Sequence, residues 1–97
     1  MTTTINAQQL LNTSNDVLTL NGETSIYINA GNEMLFVDLT EMVIGSYRNV
    51  VGFLQGKTIN VKLTCVATVA YDSNIGRVVD TYGYTLSVGN RLINVIA

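Results

Sequence analysis

Few side chains in this sequence could carry out covalent or acid–base chemistry. Its 97 residues include no histidine and a single cysteine, Cys65. The Ser-His-Asp and Cys-His arrangements that activate a nucleophile need histidine, so neither can form. The carboxylates Asp38, Glu41, Asp72 and Asp80 could act as an acid–base pair, but nothing in their spacing places two of them in one cleft. We therefore expect a protein that is not an enzyme.

Cys65 lies in the middle of a segment in which apolar and polar residues alternate. It has no second cysteine with which to form a disulfide, and the sequence places no cationic group beside it to activate the thiol. A free cysteine on an apolar face behaves as a small buried hydrophobic residue. We expect Cys65 to be structural.

Two segments resemble ligand-binding loops without meeting their requirements. Residues 52–58, Gly-Phe-Leu-Gln-Gly-Lys-Thr, resemble a phosphate-binding loop but are one residue short between the glycines. A strand pattern follows them, whereas that motif needs a helix N-terminus to hold the phosphates. Residues 72–76, Asp-Ser-Asn-Ile-Gly, resemble a calcium loop but lack its full ligand set and its flanking helices. We expect turns, no cofactor and no metal, with a weak surface cation site at residues 72–76 as the alternative.

Aromatic and leucine side chains are the candidate interaction residues. Tyr82 and Tyr84 are separated by one glycine, so they share one face of a strand. Such tyrosines can form part of a sheet core, anchor a subunit interface or stack on sugars, and all three interpretations remain open. The full set of candidate interface residues is Leu10, Leu11, Tyr27, Tyr71, Tyr82 and Tyr84.

Charge and hydropathy each exclude one class of partner. Five basic residues are scattered along the chain and the formal charge is −2, so we expect no nucleic-acid binding. No apolar run approaches the ~18 residues that would span a membrane. The N-terminus lacks the basic and apolar regions of a signal peptide, so we expect synthesis in a cytoplasm.

The strongest structural signal is one long alternating hairpin. Apolar and polar residues alternate from Lys57 to Tyr71, residues 72–76 form a turn, and Arg77 to Val88 return. Gly89-Asn90 then predicts a two-residue hairpin loop before a last strand. Fifteen residues at ~3.3 Å each span about 50 Å, whereas a compact domain of this length is only about 35 Å across. The long strand must therefore coil, bend at a bulge, or project beyond the domain.

The remaining segments are less regular. Residues 16–39 predict a three-stranded antiparallel meander, because Asn21-Gly22 is a strong hairpin signal. Residues 40–56 predict a short helix or an irregular crossover, since Tyr47, Val50 and Leu54 lie at helical spacing. The alternative for this segment is a strand that begins near Met42. Residues 7–11 could form a helical turn.

These signals predict an all-β protein. We expect a small antiparallel β-sandwich or partly open barrel with a long amphipathic hairpin and room for one short helix. Residues 1–15 are expected to form an N-terminal arm that orders against a partner, and residues 16–97 a single β domain.

Threonine and asparagine supply about a quarter of the chain and only 12% of residues are charged. A neutral surface of this kind suits burial against neighbours, although a biased codon usage would give the same composition. We expect a non-enzymatic structural protein of a homo-oligomeric assembly, a trimer or larger. Its most concrete form is a virion component, such as a capsid decoration (cement) protein or a tail or fibre subunit, which also contacts other virion proteins. The alternative is a small carbohydrate-binding β module that uses the tyrosines.

Overall fold

A computed structural model describes residues 2–96 of the chain. Within these residues the chain forms eight strands, one short α-helix and one 3-10 turn. Their bounds are β1 Thr3–Asn6, α1 Ala7–Leu11, β2 Val17–Thr19, β3 Ser25–Ala30, β4 Glu33–Asp38, the 3-10 turn Leu39–Glu41, β5 Tyr47–Leu54, β6 Lys57–Asp72, β7 Arg77–Val88 and β8 Arg91–Ile96. Neither helical element of the described chain has the length and apolar character needed to cross a membrane.

The strands form two sheets. The smaller has the order β1-β3-β4 and the larger the order β2-β8-β7-β6-β5. The β1–β3 and β2–β8 pairs are parallel, and every other neighbouring pair is antiparallel. The expected all-β, sandwich-like fold with a long hairpin and a short helix is confirmed.

Alternation along each strand builds the core between the sheets. Residues at every second position point to the same side, and these positions are apolar in both sheets. The fully buried side chains at the centre are Ile26, Ile28 and Val37 from the smaller sheet and Val61, Leu63, Leu86, Val88, Ile93 and Val95 from the larger. Gly52 of β5 also faces inward, and a Cβ there would overlap the carbonyl oxygen of Ala30. The absence of that side chain lets the end of β3 approach β5 closely.

The N-terminal segment belongs to the domain. β1 pairs in parallel with β3, and Ile5 and Ala7 are buried in the common core. The Asn6 side chain accepts a hydrogen bond from the Gln8 backbone N–H at 3.0 Å, which caps the first turn of α1. The structure therefore differs from the expected division at residue 15, because residues 3–11 supply a strand and core side chains to the same fold. The predicted helical turn at residues 7–11 is present.

The predicted three-stranded meander is wrong in one pairing. Asn21 and Gly22 adopt positive φ angles of 54° and 79°, which suit a tight turn. However, β2 pairs with β8 of the larger sheet, whereas β3 and β4 pair with each other in the smaller sheet. The turn therefore carries the chain from one sheet to the other instead of closing a hairpin.

The predicted short helix within residues 40–56 is also wrong. After the 3-10 turn and an irregular stretch at residues 42–46, this segment forms β5, which pairs with β6 over eight residues. Val50, Gly52 and Leu54 point inward and Val51 and Phe53 point outward, an alternation that the helical spacing of the larger side chains concealed. The sheet edge that β6 offers decides the conformation, because pairing with it satisfies the backbone of β5.

The long hairpin forms as expected. β6 and β7 pair without a bulge through twelve residue pairs, from Val61–Val88 to Asp72–Arg77. The molecule measures 49 × 27 × 25 Å, and its long axis is close to the ~53 Å that sixteen extended residues span. Of the three ways to accommodate such a strand, the structure shows projection beyond the domain.

Candidate functional site: a projecting two-stranded ribbon

Strands β6 and β7 continue past the sheet in which they begin. β8 pairs with β7 as far as Tyr84, and β5 pairs with β6 as far as Thr64. Beyond these points, residues 67–82 pair only with each other within the described chain. We call this segment the projecting ribbon. Two strands without further packing are marginally stable in water. The ribbon lacks the neighbouring strands that stabilise the rest of β6 and β7.

One face of the ribbon continues the apolar stripe of the core. The alternation that buries Leu63 and Cys65 carries on along β6, but no second sheet covers it there. We call this side the ribbon face. Its members are Ala67, Val69 (61% exposed), Tyr71 (67%), Val78 (60%), Asp80 and Tyr82 (52%). Half of a single amphipathic hairpin is therefore core and half is exposed apolar surface.

The β6 edge of the ribbon offers backbone hydrogen-bonding groups. The N–H and C=O of Cys65 bond outward to Ser46 and Gly45, at 2.9 and 2.8 Å. Because the direction of these groups alternates along a strand, those of Val69 and Tyr71 also point away from β7. Another strand could add to the ribbon at this edge.

The tip of the ribbon is an ordered turn. The Asp72 side chain accepts a hydrogen bond from the Asn74 N–H at 2.9 Å, and the Asp72 carbonyl accepts one from the Gly76 N–H at 2.8 Å. Gly76 has φ of +71°, a conformation that favours glycine. Asx-turn bonding thus accounts for the residue types at 72–76. No cluster of three or more potential metal ligands occurs between residues 2 and 96.

Asp80 is the one acidic residue of the ribbon face. It pairs with Val69 at the middle of the ribbon and is exposed to solvent. Two basic residues of the larger sheet are engaged elsewhere. Arg91 forms an ion pair with Asp16 at 3.0 Å, and the Lys62 ammonium lies 4.4 Å from the centre of the Tyr47 ring.

The structure separates the four candidate tyrosines into three environments. Tyr71 and Tyr82 share the ribbon face, and Tyr27 lies on the outer side of the smaller sheet. Tyr84 is only 4% exposed and packs in the core, and its ring centre lies 6.1 Å from that of Tyr82. A flat sugar platform of Tyr82 and Tyr84 is therefore not formed, since one ring is buried and the two planes are nearly perpendicular at 86°.

The two candidate leucines lie on α1. Leu10 and Leu11 are half-buried and pack against the core of their own chain. They therefore cover the domain, and neither lies near the ribbon in the chain's topology. Two members of the ribbon face, Val69 and Val78, were not among the candidate residues, although their positions in the alternating pattern place them beside Tyr71 and Tyr82.

Cys65 and a groove at one end of the domain are the remaining candidate places for reactive groups. Burial raises the pKa of the Cys65 thiol, so the thiolate that would act as a nucleophile is disfavoured. A groove at the end of the domain opposite the ribbon tip is lined mainly by neutral side chains with Lys57 and Arg91, and no carboxylate faces it. Arg91 anchors the loop before β2 by donating hydrogen bonds to the backbone carbonyls of Thr13 and Asn15.

No protein-family model, curated protein or solved structure matches this chain.

Proposed function

We propose that this protein is a non-enzymatic structural subunit of a homo-oligomeric assembly, held to its neighbours by the projecting ribbon. The observation that carries the proposal is the ribbon face, a row of more than half-exposed apolar side chains that continues the protein's own core stripe. Exposed apolar patches of this kind mark interaction surfaces in soluble proteins.

The area of the ribbon face suits a specific interface. With ~200 Å² for a whole tyrosine, Tyr71 and Tyr82 expose about 240 Å² between them. At 25 cal/mol/Å², the free energy of burying a valine side chain corresponds to ~80 Å² of apolar surface. Val69 and Val78 therefore add about 100 Å² of exposed surface. Interfaces are about 60% apolar, so a partner that covers ~350 Å² of apolar surface buries ~600 Å² of the ribbon. Both sides together bury ~1,200 Å², the lower end of the range for specific complexes.

The outer face of the larger sheet supports the same proposal. Its centre presents neutral side chains, among them Asn60, Thr64, Thr85 and Asn94.

Edge strands are ordinarily protected by lysine or proline, but this chain has no proline and only two lysines. Neighbouring subunits would supply that protection.

The most concrete form of the proposal is a virion component, such as a capsid decoration protein or a tail or fibre subunit. A β domain with few charged groups and an exposed apolar ribbon suits that role. Mass spectrometry of purified particles tests it: the chain should be present in stoichiometric amounts, and its gene should lie among genes for virion proteins. A chain found only outside the particles would contradict this part of the proposal.

The mass in solution tests the assembly itself. We expect the purified protein to sediment as a trimer or larger at micromolar concentration. The double variant Tyr71→Ser/Val78→Ser should dissociate to monomers and keep its circular dichroism spectrum, because neither side chain lies in the core. The matched control is Met34→Ser/Phe36→Ser, which removes similarly exposed apolar surface from the smaller sheet. A wild-type monomer at all concentrations, or equal dissociation of both double variants, would overturn the role of the ribbon.

A further inference from the structure

A second exposed apolar surface lies on the outer side of β5. Tyr47, Val51 and Phe53 point away from the core and are each more than half exposed. We call these three residues, together with Lys62 of the adjacent strand, the receiving face. The helix or crossover predicted for residues 40–56 gave no indication of this surface.

The receiving face carries one cation near its middle. Lys62 pairs with Asn49, between the Tyr47–Thr64 and Val51–Asn60 pairs. Its ammonium lies 4.4 Å from the centre of the Tyr47 ring, which holds the charge over the apolar surface.

The ribbon face has the complementary arrangement. Asp80 pairs with Val69, between the Ala67–Tyr82 and Tyr71–Val78 pairs. The ribbon face is thus a two-stranded patch of three consecutive pairs with Asp80 at the central one, and the receiving face has four such pairs with Lys62 in the second and Phe53 in the fourth. The two charges are opposite. Three pairs extend about 13 Å and four extend about 20 Å, at ~3.3 Å per residue step.

We propose that the ribbon face of one copy docks on the receiving face of a second copy, with the Asp80 carboxylate against the Lys62 ammonium. This inference rests on the proposed function, because it names the surface to which the ribbon binds. Burial against apolar neighbours strengthens such a charge pair and fixes the register of the contact.

Another apolar patch on the molecule fits the ribbon less well. Tyr27 and Phe36 pack against each other on the outer side of the smaller sheet, with ring centres 5.1 Å apart and planes tilted by 57°. Asp38 lies on that same side, one pair from Phe36. Its carboxylate would repel Asp80, since like charges within an interface disfavour the contact.

The pairing of two different surfaces limits the possible symmetries. Each copy donates one ribbon and receives one. Reciprocal exchange between two copies gives a two-fold dimer, and every other arrangement closes into a larger ring or continues as a filament. In a closed ring each subunit takes part in two contacts, which doubles the area that it buries.

Charge reversal tests the contact. Asp80→Lys and Lys62→Glu should each weaken association at least tenfold in sedimentation, and the double variant should recover most of it. Glu33→Lys and Lys57→Glu are the matched controls, because they change the net charge equally at exposed hairpin ends. A double variant no better than the singles would overturn the pairing.

A cross-linking experiment provides an independent measurement. Under oxidising conditions, a mixture of Asp80→Cys and Lys62→Cys proteins should form disulfide-linked dimers, and neither protein should do so alone. The native Cys65 is buried and does not interfere. If Asp80→Cys links to itself, the ribbon docks on another ribbon and the inference is wrong. If the wild type associates, Tyr71→Ser/Val78→Ser dissociates it and the Lys62 variants have no effect, the receiving face is wrong while the proposed function stands. A monomeric wild type would remove both.

Discussion

Shortening the ribbon separates its contribution to assembly from its contribution to folding. In the variant that we suggest, Asn-Gly replaces residues 69–80, so that Thr68 and Thr81 flank a two-residue turn. The backbone of Cys65 bonds to the β5 side, so the alternate residue Thr68 bonds to β7. Thr68 and Thr81 are therefore a hydrogen-bonded pair, as a two-residue hairpin loop with Asn-Gly requires.

The magnitude follows from what the replacement removes. Val69, Tyr71 and Val78 are all more than half exposed, and a hairpin without further packing is marginally stable, so the monomer should lose about 1 kcal/mol or less. These side chains account for about 230 Å² of the ribbon face, or ~6 kcal/mol of gross burial energy per contact at 25 cal/mol/Å². If a third of this survives the costs of association, the contact loses ~2 kcal/mol, which weakens it about 30-fold.

Thermal unfolding at several protein concentrations is the assay. Association stabilises the folded state, so the wild-type Tm should rise with concentration. At the highest concentrations it should exceed that of the shortened variant by roughly 10 °C, the shift that ~2 kcal/mol produces in a chain of this size. The Tm of the shortened variant should begin to rise only at about 30-fold higher concentrations. On dilution it should lie within the ~4–8 °C of the wild-type value that a loss of about 1 kcal/mol allows.

Two results would refute this reasoning. If the shortened variant melts well below the dilute wild-type protein at every concentration, the ribbon is part of the folding unit and its exposed face is not reserved for a partner. If the wild-type Tm does not change across a thousandfold range of concentration, the exposed apolar row does not hold copies together.

Three further predictions concern the domain. Gly52→Ala should destabilise the domain by about 3 kcal/mol in urea unfolding, because the new Cβ overlaps a carbonyl oxygen. The control Gly83→Ala meets only ordinary contacts and should cost under ~1 kcal/mol. Similar losses for the two variants would contradict this account. Arg91→Ala should cost about 2 kcal/mol and speed hydrogen exchange in the loop that Arg91 holds, and unchanged exchange would count against that anchor. Burial raises the pKa of both Cys65 and Tyr84, because it favours their neutral forms. The contribution of these neutral forms to the free energy of unfolding is present below the unfolded-state pKa values, about 8.5 and 10. It is lost as the pH rises through the higher folded-state values. The Tm should fall in this alkaline range, and a Tyr84→Phe variant whose Tm falls as steeply would exclude the phenol as a cause.

Local signals predicted the turns of this protein well. Asn21 and Gly22 adopt the positive φ angles that their sequence suggested, and Gly89-Asn90 joins β7 to β8 as a two-residue loop. The φ and ψ preferences of a turn depend on its own residues, so the sequence carries this information locally.

Strand partners were harder to predict. The Asn21-Gly22 turn leads from β2 into another sheet, because β8 at the far end of the chain offers β2 an edge to pair with. In β5, the residues that seemed to form a helical stripe alternate between two faces of a sheet. Pairing depends on segments that are distant in sequence, so local spacing cannot decide it.

The sequence by itself determined the alternation of the longest hairpin and the absence of a histidine-dependent nucleophile. Without histidine, the Ser-His-Asp and Cys-His arrangements were excluded before any fold was known. Only the tertiary structure decided which half of the hairpin is core and which half is surface. The same period-two pattern runs from Leu63 to Tyr71, but the smaller sheet covers only its first half. Burial is a property of what lies opposite a residue, and a one-dimensional pattern does not contain it.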